Sequence, residues 1–259
     1  MGVLYIGTSG FSYDDWVGPF YPPGLPKREW LAFYAREFPT LEVNATYYGI
    51  PAPKSMAQMA ARTPEGFIFT VKAHQDMTHR REENAAVFAA FLAAMQPLQE
   101  AGKLGCVLAQ FPFSFHATTL TRDYLLEFKS RLGSLPLVLE FRNVEWLTPA
   151  ALDFLRLHNL GFCCVDEPAL PGLLPPIAEA TSTVAYVRFH GRNQAKWWQH
   201  EHAYERYDYR YGQEELQEWI PRIRGLAAKA ERTFVLANNH WQGQAVDTAR
   251  QLRLLLSES

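Results

Sequence analysis

Residues 104–141 read LGCVLAQ FPFSFHAT TLTRDYLLEFKSRL GSLP LVLEF. Residues 104–110 form a near-continuous apolar run, the pattern of a strand covered on both faces. Residues 119–132 follow with a helical pattern and stop at Gly133, a natural C-terminal cap. A second apolar run, 137–141, comes next. Strand, helix and strand in this order make one right-handed crossover of a parallel sheet.

The same unit recurs on both sides. Apolar runs stand at 3–7, 41–44 and 66–72 before this stretch, and at 161–166, 184–190 and 233–238 after it. Helical patterns at 26–38, 53–62 and 84–99 lie between the first runs. A helix opens at Thr148-Pro149 and ends near Gly161; the proline-rich stretch 170–180 predicts a short one. Segments 212–229 and 243–256 complete the set. Eight alternating units predict an α/β fold, a closed (β/α)₈ TIM-type barrel forming one domain over residues 1–259. The rival is an open doubly wound sheet, which calls for a glycine-rich phosphate loop after the first strand. That loop reads Gly7-Thr8-Ser9-Gly10-Phe11-Ser12-Tyr13 and matches neither GxGxxG nor GxxxxGK[ST].

Composition agrees. The 259 residues, at about 150 per domain, give a prior of about 1.7 domains, which the eight units resolve to one. Hydrophobic residues are 48% and charged residues 20%, which excludes a disordered chain. A net charge of −2 argues against a strongly basic nucleic-acid module. The longest strongly apolar run, 85–95, is about half a membrane span, so no membrane partner is expected. The N-terminal MGVLYIG has neither a basic leader nor a long apolar core and reads as a first strand. The three cysteines, Cys106, Cys163 and Cys164, are odd in number and two are adjacent. They read as buried apolar residues in a reducing compartment, and the expected location is cytoplasmic.

In such a barrel the carboxyl ends of the strands surround one mouth, where the chemistry sits. Here the strands end in Ser9, Asn44, Lys72, Gln110, Glu140, Arg142, Asp166, Arg188, His190, Asn238 and Asn239. Glu42 with Asn44, Glu140 with Arg142, and Arg188 with His190 are two apart and share a face. Inward charges are costly unless paired or serving a site. Glu140 is the acid/base candidate and Glu42 a second carboxylate; the bland reading has Glu140 clamping Arg188 or Arg142. Lys72 is a Schiff-base or fixed-cation candidate, and His190 a proton-transfer group. Ser9, Asn44, Tyr47, His79, Gln110, Arg142, Asp166, Arg188, Asn238 and Asn239 are candidate substrate contacts. No cofactor is predicted; a divalent metal on Glu42, Glu140, Asp166 and His190 is a minor alternative that no spacing selects.

The loop after the seventh strand, 191–211, interleaves Lys196, Arg206 and Arg210 with Trp197, Trp198, Tyr204, Tyr207 and Tyr209. It reads as a lid over the mouth or an aromatic cover packed on the barrel, with a single-stranded nucleic-acid surface as the rival.

These motifs together resemble the YecE-like family, domain of unknown function seventy-two, over nearly the full chain. The residues that carry the resemblance are Ile6-Gly-Thr-Ser-Gly-Phe-Ser-Tyr13, Phe38-Pro-Thr-Leu-Glu-Val-Asn44, Phe69-Thr-Val-Lys-Ala73, Gln110-Phe-Pro112, Glu140-Phe-Arg142, Arg188-Phe-His-Gly191 and Asn238-Asn239. Phe11 stands where the family usually has tryptophan, Phe111-Pro-Phe113 where leucine and two prolines are usual, and Glu145 where serine is common. The resemblance implies a TIM-type barrel and no established activity. The functional expectation is an enzyme acting on a small polar, anionic or sugar-like molecule by acid/base chemistry. A nucleic-acid-processing barrel and a non-catalytic ligand-binding barrel are the alternatives; the sequence sets no oligomeric state.

Overall fold

The apolar runs become strands. In the computed structural model, which describes residues 2–258, β1 (Val3–Ser9), β2 (Thr40–Val43), β3 (Ile68–Lys72), β4 (Leu104–Gln110), β5 (Leu137–Glu140), β6 (Gly161–Asp166), β7 (Val184–Phe189) and β8 (Arg232–Ala237) pair in parallel in chain order. β8 closes on β1 from Val3↔Arg232 to Thr8↔Ala237. The expected (β/α)₈ barrel is therefore the fold. Among the described residues, no helix is long and apolar enough to cross a membrane.

The helices are α1 (Trp30–Tyr34), α2 (Pro53–Ala61), α3 (Ala85–Glu100), α4 (Thr119–Leu132), α5 (Pro149–Leu157), α6 (Gln213–Gln217), α7 (Ile220–Lys229) and α8 (Gln244–Glu258). Capping explains two starts. Thr118 accepts from the Thr121 N–H ahead of α4, and Thr148 from the Ala151 N–H ahead of α5, with Pro149 in the first turn.

Three helix expectations need correction. Residues 170–180 form no helix. Pro171, Pro175 and Pro176 remove N–H donors and clash with preceding carbonyls, so β6 reaches β7 through turns. The segment 212–229 breaks into α6 and α7, with Pro221 in the first turn of α7. The first helix is shorter than 26–38: a 3₁₀ turn, Lys27–Glu29, leads into α1, which buries Trp30, Leu31 and Tyr34.

Tyr34 also mends one of the barrel's two thinnest seams. β1 and β2 are in register only at Thr8↔Leu41 and Ser9↔Glu42. The buried Tyr34 hydroxyl accepts from the Thr8 N–H at 2.9 Å and donates to the Thr40 carbonyl at 3.0 Å, bridging the two strands. Gly7 makes room for this, because a Cβ there would lie 2.3 Å from the Thr40 oxygen and 3.0 Å from the Tyr34 hydroxyl. Tyr34→Phe leaves a buried N–H without that acceptor, at a cost of about 1–3 kcal/mol. Urea unfolding should show that loss; an unchanged midpoint would remove the bridging role.

Candidate active site

Alternate residues of a strand face the same way. On β7, Tyr186 and Arg188 point into the barrel, and His190 continues that face. Arg188 is 2% exposed. Its NH1 donates to Glu140 Oε2 and its NH2 to Glu42 Oε1, each at 2.6 Å, with Ser9 Oγ 3.4 Å from NH2. Glu42 Oε2 accepts from the Tyr186 hydroxyl at 2.7 Å, so Thr70, also 2.7 Å away, donates to that hydroxyl. Glu140 meets a second guanidinium, with Arg142 NH2 2.6 Å from Oε1. Arg142 NH1 in turn donates to Glu167 Oε2 at 3.0 Å. His190 Nε2 lies 3.2 Å from Glu140 Oε1. The amide of Asn238 donates to His190 Nδ1 at 3.0 Å, which assigns the ring proton to Nε2.

Burial alone would raise the pKa of Glu140, but Arg142, Arg188 and His190 outweigh it and hold the carboxyl well below the usual range. Burial, reinforced by Arg142, lowers His190 to about 3. Burial likewise pushes Glu167 up to about 7 against the pull of Arg142. Lys72 is half-buried by surface, since it borders a cavity, yet protein crowds its ammonium. Desolvation first, then Arg188, lowers it to about 8. Its Nζ donates to Gln110 Oε1 at 3.1 Å and lies 4.5 Å from the centre of the Tyr47 ring.

Above this layer the mouth opens into two adjoining chambers of ≈ 300 and ≈ 210 Å³, with Tyr47, Tyr48, Lys72 and Tyr207 bordering both. Arg142, Arg206, His79 and Gln110 line the larger one; Asn44, Arg188, Asn238 and His240 line the smaller. Among the described residues no carboxylate borders either chamber. Trp197, 1% exposed, roofs the larger chamber between two cations, its ring 5.6 Å from the Arg142 guanidinium and 5.2 Å from that of Arg206.

The family model described as protein of unknown function DUF72 matches residues 5–259. The chain belongs to the DUF72 family. It is 34% identical over 270 residues to the UPF0759 protein YunF of Bacillus subtilis (strain 168), covering 98% of this chain and 95% of that one. The crystal structure of a DUF72 family protein from Thermotoga maritima MSB8 is similar, with TM-score 0.90 and 38% identity over 98% of this chain and 99% of the other. A DUF72 family protein from Enterococcus faecalis V583 superposes with TM-score 0.87 and 28% identity, over 99% and 96% of the two chains. The family has no established activity.

In this DUF72 barrel, most of the expected site residues converge. Glu42, Glu140, His190 and Ser9 form the layer beneath the chambers. Lys72, Arg142, Arg188, Asn44, Tyr47, His79, Gln110 and Asn238 line them. Two residues expected at the mouth turn away. Asp166 takes Arg192 (2.7 Å), the Tyr211 hydroxyl (2.7 Å) and the Trp219 indole N–H (2.7 Å), anchoring the 191–211 loop. Asn239 donates to the Tyr209 carbonyl and to Thr248 on α8. Period two is the reason: Cys163, Val165 and Glu167 share the inner face, so Asp166 lies on the outer one. Glu167 was missed because β6 is apolar on both faces and its sequence does not show which parity faces inward. Tyr13, Tyr186 and His240 were also missed as site residues; parity with Arg188 was the available signal for Tyr186.

Among the described residues, the four donors named for a divalent metal do not gather into one cluster. Asp166 lies apart from the other three donors, and Glu42 and Glu140 are occupied by Arg188. Glu201, His202 and Glu205 do bring donor atoms within 4.8 Å of one another on the loop, but Glu205 already holds Lys196 at 2.7 Å.

Removing Arg188 strands two buried carboxylates, so Arg188→Met should cost about 3–5 kcal/mol in urea unfolding. A loss below about 1 kcal/mol would contradict the network's weight. The histidine gives a pH signature. Unfolded chain protonates at His190 below its ordinary 6.5, whereas the folded site resists to about 3, so this contribution is full above pH 6.5 and drains below it. Glu167 has the opposite sign, gaining protons in the folded state between 7 and 4.5, so the parent's own slope mixes the two. The difference isolates the histidine: from pH 7 to 5, His190→Gln should gain about 2 kcal/mol relative to the parent. A constant difference would exclude His190 as a source.

Proposed function

We propose that this protein is an enzyme that holds a small anionic substrate at the barrel mouth and uses Lys72 for proton transfer. The observation that carries this reading is the sign of the cavity wall: Lys72, Arg142, Arg188 and Arg206 border it and no described carboxylate does. Arg142 and Arg188 are committed to acids below them. Lys72 and Arg206 have no carboxylate within ion-pair distance among the described residues; Arg206 Nε donates only to the Trp197 carbonyl, at 2.9 Å.

The roles expected of Glu140 and Lys72 therefore exchange. Glu140, ionised and ringed by two arginines and His190, is a positioning anion that fixes Arg142 and Arg188. Lys72, with a pKa near 8, is about one-tenth neutral at pH 7, and so able to take up or give a proton near the operating pH. Fixed guanidinium groups beside it stabilise negative charge as it develops. Isomerisation, elimination and hydrolysis all use such a set.

The nucleic-acid reading has less support. The lid's cations are mostly neutralised: Lys196 by Glu205, Arg192 by Asp166, Glu215 and Glu218, and Arg210 by Asp247. That leaves little field for a phosphate backbone.

Sulfate tests the reading, because its charge is constant between pH 6 and 9.5. Its affinity, measured by calorimetry, should fall as pH rises through 8 and Lys72 loses its proton. Lys72→Met should weaken binding at pH 7 about tenfold, or ~1.4 kcal/mol, and flatten the pH dependence. Absence of sulfate binding, or the same profile in Lys72→Met, would overturn the proposal.

A further inference from the structure

The smaller chamber differs chemically from the larger one. Among the described residues, three buried side-chain atoms of the residues that line it lack a hydrogen-bond partner: the Arg188 Nε–H, the Asn44 side-chain oxygen and His240 Nδ1. Arg188 is almost wholly buried, and its two NH₂ groups are taken by Glu42 and Glu140, so the unused Nε–H is a fixed donor. Buried polar groups are normally paired, and those left open in a cavity point to what fills it.

A bare anion does not complete this set. It accepts from Arg188, but the Asn44 amide presents an acceptor, and in either orientation the amide keeps one acceptor and one donor end. The group that accepts from an N–H and donates to a carbonyl oxygen is a hydroxyl. The wall also supplies aromatic surface, from Tyr13, Tyr47, Tyr48 and Tyr207. Aromatic faces of this kind pack against the C–H surface of a polyol or sugar ring. Lys72 borders both chambers, so one molecule with a hydroxylated end and an anionic end spans them. One chamber lies at the lower bound of ligand pockets, about 300–1,000 Å³, and the other below it, so a molecule filling both is a small metabolite.

We infer that the substrate is a polyhydroxylated anion, a sugar phosphate or a sugar acid. Its hydroxyls meet Arg188, Asn44 and His240 in the smaller chamber, and its charged group lies between Lys72, Arg142 and Arg206. This rests on the anion reading above and narrows it.

Two matched pairs test the inference by calorimetry at pH 7, with sulfate as the reference anion: ribose 5-phosphate against methyl phosphate, and gluconate against hexanoate. The hydroxylated member of one pair should bind at least tenfold tighter, and which pair responds tells phosphate from carboxylate. Asn44→Ala should erase that preference while leaving sulfate affinity within twofold, which also shows the variant folded. Equal affinities within both pairs in the parent protein would overturn the hydroxyl chamber and leave the anion site standing. If sulfate and all four ligands fail to bind, the underlying reading falls and this one with it. A hydroxyl preference that survives Asn44→Ala in a sulfate-binding variant would also count against the assignment. The parent comparison decides even if that variant does not fold.

Discussion

Arg188 is the residue on which the mouth depends. A guanidinium enclosed at the centre of a barrel is tolerable only when its hydrogen bonds are met by opposite charge. Here two carboxylates from two other strands meet it, Glu42 from β2 and Glu140 from β5. That single fork ties three strands that are far apart in sequence and fixes the height at which the apolar core stops. Below it lie Tyr186, Thr70, Cys106 and Cys163; above it the cavity begins.

The fork also sets the polarity of what lies above. Glu42 and Glu140 lie below the arginines, and their charge is spent on holding Arg142 and Arg188 in place. The surface that reaches the cavity is therefore cationic although the chain is slightly acidic as a whole. Lys72 lies at the edge of this arrangement, where desolvation and neighbouring arginines weaken its hold on a proton while Glu140 and Glu42 strengthen it. Its proton affinity is a property of the whole layer more than of its own strand.

The loop over the mouth is built into the barrel by a second set of polar ties. Asp166 on the outer face of β6 collects Arg192, Tyr211 and Trp219, while Arg206 and Lys196 close the loop on itself through the Trp197 carbonyl and Glu205. Tyr204 stacks on Trp241 at 3.9 Å, joining the loops after β7 and β8. The result is a roof with Trp197 on its underside and the exposed Trp198 at the rim of the larger chamber. Its aromatic richness is largely structural, which is why the interleaved pattern alone was a weak guide to nucleic acid.

The sequence by itself determined the barrel, because eight apolar runs separated by helix-length segments leave a parallel closed sheet as the economical way to cover every strand. It also determined that polar side chains gather at the strand ends, and the period of two paired Arg188 with His190 and Glu140 with Arg142. Local chemistry was read less well where proline decides, as in the turns of 170–180. Tertiary structure alone decided the contacts. Whether Glu140 is an acid or a clamp depends on Arg188 arriving from a strand 48 residues away. Whether Asp166 or Glu167 faces inward depends on which face of a uniformly apolar strand the closed barrel turns to its axis. A pKa, an ion pair and a cavity are properties of distances in space, and period and composition along a chain do not contain them.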